Sequence, residues 1–453
     1  MEAYEYHAYI CNQQKPEGIP GCAAHGSEKI IDAMRREVAR QGLGDKVQIT
    51  TSGSIGLCEW GPNMIVYPEG TWYCGMKPED VPEIVSQHFG KGRPVERLVR
   101  QDVKELKAEI EKNKGKMLAG MKAREEAGVM PDDLAGMIQG FRESRIILTA
   151  VELDLFSAIG EGASAKAVAG KLGTDERATG LLMNALVSLG LLIKTGETYK
   201  NSLNASKYLS EGAPHDSRAS LGHTINLWQR WSTLTECVRQ GTSVTHKDVT
   251  ERPEGWADSF IAAMHKNTLA RAPLVARAVG TEGVKKMLDV GGGSGGYSIA
   301  FAKASPQLES VVFDLPDVVK LTEKYVADAG LSDRVTTQTG DMRTDDFGNG
   351  YDMVLISAIC HMFDREGNKQ LFKKAFKALN PGGRVVVQDF ILNPDKASPK
   401  TAAVFALNML VGTRAGGTYA ESEYASWLKD AGFKGIKRIP LPGPTGLIVA
   451  EKP

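Results

Sequence analysis

The spacing of apolar residues changes three times along the chain. In the first hundred residues, short apolar runs alternate with amphipathic ones. YHAYI reads as a strand, and SEKIIDAMRREVARQ as an amphipathic helix opened by Ser27 with Glu28 in its first turn. KVQITTS and NMIVYPEG read as further strands, and PEDVPEIVSQHF as a second helix with Pro78 near its start. Over 98–130 apolar residues become sparse among Lys and Glu, which predicts an exposed helical linker. From 131 to 275 the period is helical. FRESRIILTAVELDLFSAI and ERATGLLMNALVSLGLLI carry wide apolar faces, and KTGETYKNS after them reads as a small β-wing. From 276 onward short apolar strands (MLDV, SVVFD, VTTQT, MVLISAI, RVVVQDF) alternate with helices. That alternation predicts a parallel, doubly wound α/β sheet. IKRIPLPGPTGLIVAEKP reads as an antiparallel hairpin closing its edge.

Length and composition narrow this picture. A chain of 453 residues is expected to form two or three domains with cores large enough to need no disulfide or metal. The formal net charge is zero, so no global field attracts nucleic acid or acidic lipid. DNA binding is one reading of a helix–helix–wing pattern. The charge balance and the apolar helix faces favour packing or dimerisation instead. The start, MEAYEYHAYIC, lacks the basic and apolar regions of a secretory signal, and GLLMNALVSLGLLI is too short and interrupted to span a bilayer. A cytoplasmic protein with no membrane or nucleic-acid partner is expected. Four of the six cysteines, Cys11, Cys22, Cys58 and Cys74, fall in the first segment and need a separate account.

The chemistry concentrates after strand MLDV, where Gly291-Gly292-Gly293-Ser294-Gly295-Gly296 leads into the helix YSIAFAKA. Glycines let the backbone turn sharply against a ligand, and the helix start offers free N–H groups. Such a loop alone fits a nicotinamide dinucleotide equally well. Three features favour S-adenosylmethionine. Asp314 ends the next strand, where a carboxylate accepts from ribose hydroxyls. Asp341 and Met342 follow the third strand, placed for an adenine amine and ring. Asn380-Pro381-Gly382-Gly383 forms a turn before the fifth strand. His361 follows strand MVLISAI at the carboxyl edge of the sheet. Its ordinary pKa of roughly 6.5 suits removal of an acceptor's proton near neutrality. Cys360 beside it reads as a small buried residue.

The stretches LDVGGGSGGYSIAFA, VVFDLPDVV, GDMR and ICHMFDREGNKQLFKKAFKALNPGG, with the final hairpin, resemble the O-methyltransferase family of plant caffeic-acid-type enzymes and bacterial relatives. The resemblance runs from about residue 135 to the end. It implies a helical dimerisation domain, hence a homodimer, followed by a Rossmann-like catalytic domain that binds S-adenosylmethionine. It places Gly291, Gly293, Asp314, Asp341 and Met342 at cofactor positions and His361 at the base. Ser357 stands where plant members carry Lys. Asp389 falls at one of two acidic positions that orient the base. Tyr419 stands at the other, where plant members have Glu, and Glu421 lies two residues on as a substitute. The departure points away from a simple plant-type phenol. Trp228, Trp231, Met264 and Met409 lie in segments that resemble the acceptor pocket of the family, and core packing explains each equally well. The acceptor implied is a small aromatic or extended-ring hydroxyl compound.

Residues 5–100 resemble the thioredoxin-like [2Fe–2S] ferredoxins. The similarity rests on Cys11 and Cys22, on Ser54-Ile55-Gly56-Leu57-Cys58-Glu59-Trp60-Gly61-Pro62, and on the tail VYPEGTWYCGMKPEDVPEIVSQHFGKGRPVERLV. The resemblance implies a cluster at Cys11, Cys22, Ser54 and Cys58, and a redox partner protein. Ser54 replaces a ligating cysteine, and thiolates are the normal ligands. Either Cys74 substitutes, or the module survives without a cluster as a docking or structural domain. Methyl transfer to sulfur or carbon, and a redox or partner-binding protein on a silent methyltransferase scaffold, are the competing functions.

Overall fold

The computed structural model describes residues 4–15, 21–246 and 256–453. The chain divides into two compact units, Met1–Gln139 and Gly140–Pro453. Part of the Pro/Gly loop between Cys11 and Cys22 lies outside the described residues.

The first unit is built on four strands: β1 (Tyr6–Cys11), β2 (Val47–Ser52), β3 (Met64–Tyr67) and β4 (Thr71–Tyr73), in the order β2-β1-β3-β4. β1 and β2 are parallel, joined through the helix Ser27–Arg40, and β3 runs antiparallel to β1 and to β4. Side chains of a strand alternate between faces. Ala8, Ile10, Ile49, Met64 and Val66 accordingly form one core with Ile30, Met34, Ile84 and Phe89 of the helical layer. The second expected helix is interrupted. It passes from a 3₁₀ turn at Pro78–Asp80 through Val81–Ile84 into a π-turn at Val85–Phe89.

The expected linker helix forms at Val103–Glu126, with the Asp102 carboxylate accepting from the Lys104 and Glu105 N–H groups. One expectation is corrected here: its first half is not solvated all round. Leu106 is buried with Leu57 and Cys74. Ile110 packs on Gly56, where a Cβ would stand 3.0 Å away. Asn113 donates to the Gly56 carbonyl at 2.8 Å, and Lys116 pairs with Glu59 at 3.1 Å. The second half leaves Met117, Leu118 and Met121 exposed.

The second unit opens with helices Phe141–Glu152, Leu155–Ile159, Ala165–Leu172 and Glu176–Ser188. A two-stranded wing follows, β5 (Leu192–Thr195) and β6 (Thr198–Asn201). Ser164 and Asp175 accept from backbone N–H groups at the starts of the third and fourth helices. Past Lys285 the strands are β7 (Lys286–Val290), β8 (Glu309–Asp314), β9 (Val335–Thr339), β10 (Tyr351–Ser357) and β11 (Leu379–Asp389). A short parallel pair, β12 (Ile391–Leu392) and β13 (Tyr419–Ala420), stands apart from the main sheet. The chain closes with β14 (Lys434–Pro440) and β15 (Gly446–Glu451). The main sheet has seven strands in the order β14-β15-β11-β10-β7-β8-β9. β9, β8, β7, β10 and β11 are parallel, and the last hairpin adds two antiparallel strands. The strand order reverses at β7, which puts the glycine loop and the end of β10 at the crevice where ligands bind in such sheets. The NPGG turn is a bulge: β10 pairs with β11 at Tyr351–Leu379 and resumes at Met353–Arg384. Among the described residues no helix is long and apolar enough to cross a membrane.

Candidate active site

The glycine loop is braced from several sides. Gly291 and Gly293 have φ of 65° and 57°, the left-handed region where a side chain is strained. A Cβ on Gly291 would also stand 2.5 Å from Ile359 Cδ1 and 2.8 Å from Met342 Cε. Met342 therefore lies against the loop. Asp314 is buried; its Oδ2 accepts from the Gly293 N–H at 2.9 Å and its Oδ1 from the Leu315 N–H at 2.8 Å. Burial raises its pKa, and the two N–H groups oppose the rise. Thr322 donates to the Gly293 carbonyl, and His265 Nδ1 lies 2.9 Å from Ser294 Oγ. The His265 ring stacks on Tyr325, and burial lowers its pKa.

Asp341 is engaged by the Arg343 side chain and N–H, at 3.0 Å and 2.9 Å. Lys374 donates to the carbonyls of Met342, Arg343 and Asp345, pinning this turn to the helix Arg365–Ala378. Ser357 Oγ donates to Gln388 Oε1 at 2.6 Å, and Gln388 passes the contact on to Thr445. The sequence reading missed His265, Thr322, Lys374 and Gln388. Each acts across at least 29 residues of chain, and no local signal marks it.

Past β10, Ala358 has φ of 55°, a region sparsely used by residues with a Cβ and found at functional turns. The turn Cys360–Met362 follows and delivers His361, 8 % exposed. His361 Nδ1 lies 2.7 Å from Asp389 Oδ1, and its backbone N–H donates to Asp389 Oδ2 at 3.1 Å. Asp389 is 1 % exposed. A carboxylate at that distance accepts Nδ1–H, which leaves Nε2 bare to accept a proton. Phe405 meets the imidazole edge-on at 5.0 Å, and Phe390 stacks on Phe405 at 3.8 Å.

Glu421 does not join this pair. It begins the helix Glu421–Asp430, is about half exposed, and has Arg438 of β14 as its ionic partner at 3.8 Å. Tyr419, at the aligned position, donates to the Phe363 carbonyl and packs on Trp427. Among the described residues, Asp389 is the acid that holds the imidazole. Cys360 is fully buried and its thiol pKa is pushed up by burial, as expected of a packing residue. Trp231 donates to Asn408 at 3.0 Å, Trp228 lies under the Arg145 guanidinium, Met264 is half-buried and Met409 is buried.

In the first unit, Cys22 accepts from Asn63 Nδ2 at 3.3 Å. Cys58 is met by Lys15 Nζ at 2.9 Å and Ser54 Oγ at 3.3 Å. Cys74 lies instead in the apolar cluster with Leu57 and Leu106, and burial pushes its pKa up to about 11. Among the described residues, no three His, Cys, Asp or Glu side chains come together as metal ligands.

Comparison with known proteins gives the catalytic unit its family. Residues 231–434 match the O-methyltransferase domain, and residues 135–211 match the O-methyltransferase dimerisation domain. The chain is 32% identical over 340 residues to 3-hydroxy-5-methyl-1-naphthoate 3-O-methyltransferase of Streptomyces sahachiroi, covering 71% of this chain and 95% of that one. It is 30% identical to L-tyrosine C(3)-methyltransferase of Streptomyces lavendulae, covering 71% and 93%. The solved structure of PigF with SAH superposes with a TM-score of 0.67 at 25% identity, covering 72% of this chain and 99% of that one. The chain belongs to the S-adenosylmethionine-dependent O-methyltransferase family.

Proposed function

We propose that the chain methylates a hydroxyl oxygen of a small aromatic acceptor, with His361 as the base. The observation that carries this is the His361–Asp389 pair at 2.7 Å on the carboxyl edge of the sheet. S-adenosylmethionine supplies, when bound, a methyl group already activated by its sulfonium charge. The residues present fit that molecule: a glycine turn that a Cβ would fill at Gly291, and carboxylates at Asp314 and Asp341. Ser357, tied to Gln388, stands at the edge of the same crevice.

The acceptor is a weak nucleophile until its proton leaves. Nε2 takes that proton, and the Asp389 carboxylate stabilises the imidazolium that results. Positioned general-base catalysis contributes about 10²- to 10⁴-fold. Phe405 and Phe390 offer aromatic faces beside the base, which suits a flat acceptor. His361→Ala tests the reading: loss of methyl transfer with unchanged S-adenosylhomocysteine affinity supports it, and unchanged turnover rejects it. A second outcome has a specific motive in the tyrosine C(3)-methyltransferase relative. Removing a phenol proton also makes the ortho carbon nucleophilic, so NMR of the product distinguishes an O-methyl from a C-methyl group.

The dimerisation-domain match supports a homodimer. The six free cysteines support a reducing, cytoplasmic setting. For the N-terminal unit we infer a thioredoxin-like module of ferredoxin descent, supported by the mixed β2-β1-β3-β4 order and by the placement of Cys11, Cys22 and Cys58. Its donors do not fit a four-thiolate cluster: Ser54 offers a hydroxyl, Cys74 turns into an apolar cluster, and Lys15 occupies Cys58. The module is read as a docking or structural domain.

A further inference from the structure

His361 sits on a turn that cannot hold its own shape. Cys360–Met362 is one turn of 3₁₀ helix, closed by the Met362 N–H on the Ile359 carbonyl at 2.9 Å and the Phe363 N–H on the Cys360 carbonyl at 3.2 Å. A single such turn has weak hydrogen-bond geometry and no further turns to propagate it. Its position is set from other elements. Asp389 accepts the His361 N–H at 3.1 Å, and the Gly417 N–H donates to the His361 carbonyl at 2.9 Å. The Tyr419 hydroxyl donates to the Phe363 carbonyl. Asn368 lies at the start of the helix Arg365–Ala378. Its Nδ2 donates to the Cys360 carbonyl at 2.9 Å and to the Asp364 carbonyl at 3.0 Å, with the Phe363 carbonyl at 3.4 Å.

We propose that Asn368 is a positioning residue for the base: its amide fixes the turn where the His361 imidazole meets Asp389. The proposal rests on the reading of His361 as the base and adds the residue that places it.

Asn368 is fully buried, and its Oδ1 has no hydrogen-bond partner among the described residues. An unpaired buried polar atom costs about 1–3 kcal/mol. Leu371, Phe372 and Ala375 of the same helix enter the apolar core, so an apolar side chain would suit this depth better. The amide is tolerated for its N–H groups. Its orientation is fixed as well. Turned over, Oδ1 would face the Cys360 and Asp364 carbonyls, which cannot donate to it.

Gly416 limits the turn from a second segment. A Cβ there would collide with the His361 carbonyl oxygen. The turn is therefore held between the Asn368 amide and the Gly416-Gly417 backbone, and the imidazole follows the turn. Displacing a catalytic group by about 1 Å costs on the order of 100-fold in rate, so this placement matters to the chemistry.

Long-range proton–nitrogen NMR tests the proposal on the full chain with isotope-labelled histidine, bound to S-adenosylhomocysteine. It reads which ring nitrogen carries the proton, at about pH 8 where an ordinary histidine is neutral. His361→Gln identifies the His361 signals. In the native chain Nδ1 is expected to be protonated and Nε2 bare. Asn368→Leu keeps the shape of the side chain and removes its donors. Gly416→Ala moves the turn without touching a donor. Each is expected to lower the ratio of the Nδ1–H to the Nε2–H form of His361 by about tenfold or more, as its bond to Asp389 is lost. Calorimetry is expected to show unchanged S-adenosylhomocysteine affinity in both. A merely structural role would weaken that affinity and leave the ring ratio of the folded protein alone. The native ratio in either folded variant overturns the proposal, as does loss of S-adenosylhomocysteine binding in both. A native chain with Nε2 protonated overturns the base reading instead.

Discussion

Asp389 accepts both the ring and the backbone N–H of His361, so it fixes the orientation of the imidazole and the nitrogen that carries the proton. Asp389→Asn is expected to lower kcat by about 10- to 100-fold while leaving S-adenosylhomocysteine affinity unchanged, since the carboxylate no longer stabilises the imidazolium. Steady-state kinetics and calorimetry on one sample check both halves. Glu421→Gln is expected to leave kcat unchanged, because its ion pair is with Arg438; a tenfold loss would restore it as an orienting acid. Asp289 lies fully buried beneath the glycine loop, accepting from Ser298 through Oδ2 and unpartnered at Oδ1 among the described residues. Burial raises its pKa to about 6 from 3.8. The folded state then holds a proton that the unfolded state releases, so stability is full below about pH 4 and is lost as pH rises through about 6. Asp289→Asn is expected to remove a pH-dependent decline on the order of 3 kcal/mol, read from denaturant melts across that window.

At the scale of elements, the glycine loop forms because a strand, a run of glycines and a helix follow one another in eighteen or so residues, a local pattern. Gly291→Ala is expected to weaken S-adenosylmethionine binding at least tenfold by calorimetry, since the new Cβ must displace Ile359 and Met342. The helix Val103–Glu126 illustrates the opposite situation. Its Lys/Glu-rich sequence reads as solvated, yet Leu106 and Ile110 are spaced one turn apart and reach the loop around Gly56. Leu106→Ala is expected to destabilise the N-terminal unit by about 2–4 kcal/mol, the usual range for truncating a buried leucine, measured as hydrogen exchange in β1 and β3. An exposed linker would show no change.

At the scale of the whole molecule, two compact units carry different kinds of information. The second matches its family across both of its parts, and its parallel sheet with a closing antiparallel hairpin was readable from the alternation of strands and helices, though not the order of the strands. The first keeps three of four cysteines at the positions that the ferredoxin resemblance assigns to ligands. Purified without oxygen, the protein is expected to show less than one iron per chain and no cluster absorbance between 400 and 600 nm, roughly the thiolate-to-iron region. Stoichiometric iron would reverse the reading of the N-terminal unit.

Residues adjacent in sequence to a strand end were legible: the glycine loop, Asp314, Met342, His361 and Asp389 each follow or end a strand, and strand ends meet at one edge of a parallel sheet. Side-chain direction across elements was not. The family resemblance offered Glu421 as a substitute orienting acid, and the fold turns it toward Arg438. Lys374, Gln388, Thr322 and His265 gain their roles from partners far along the chain. Local sequence settles backbone conformation because its energetics are local. Which side chains share a site depends on how elements pack, and hydrogen bonds across that packing exist only once it has formed.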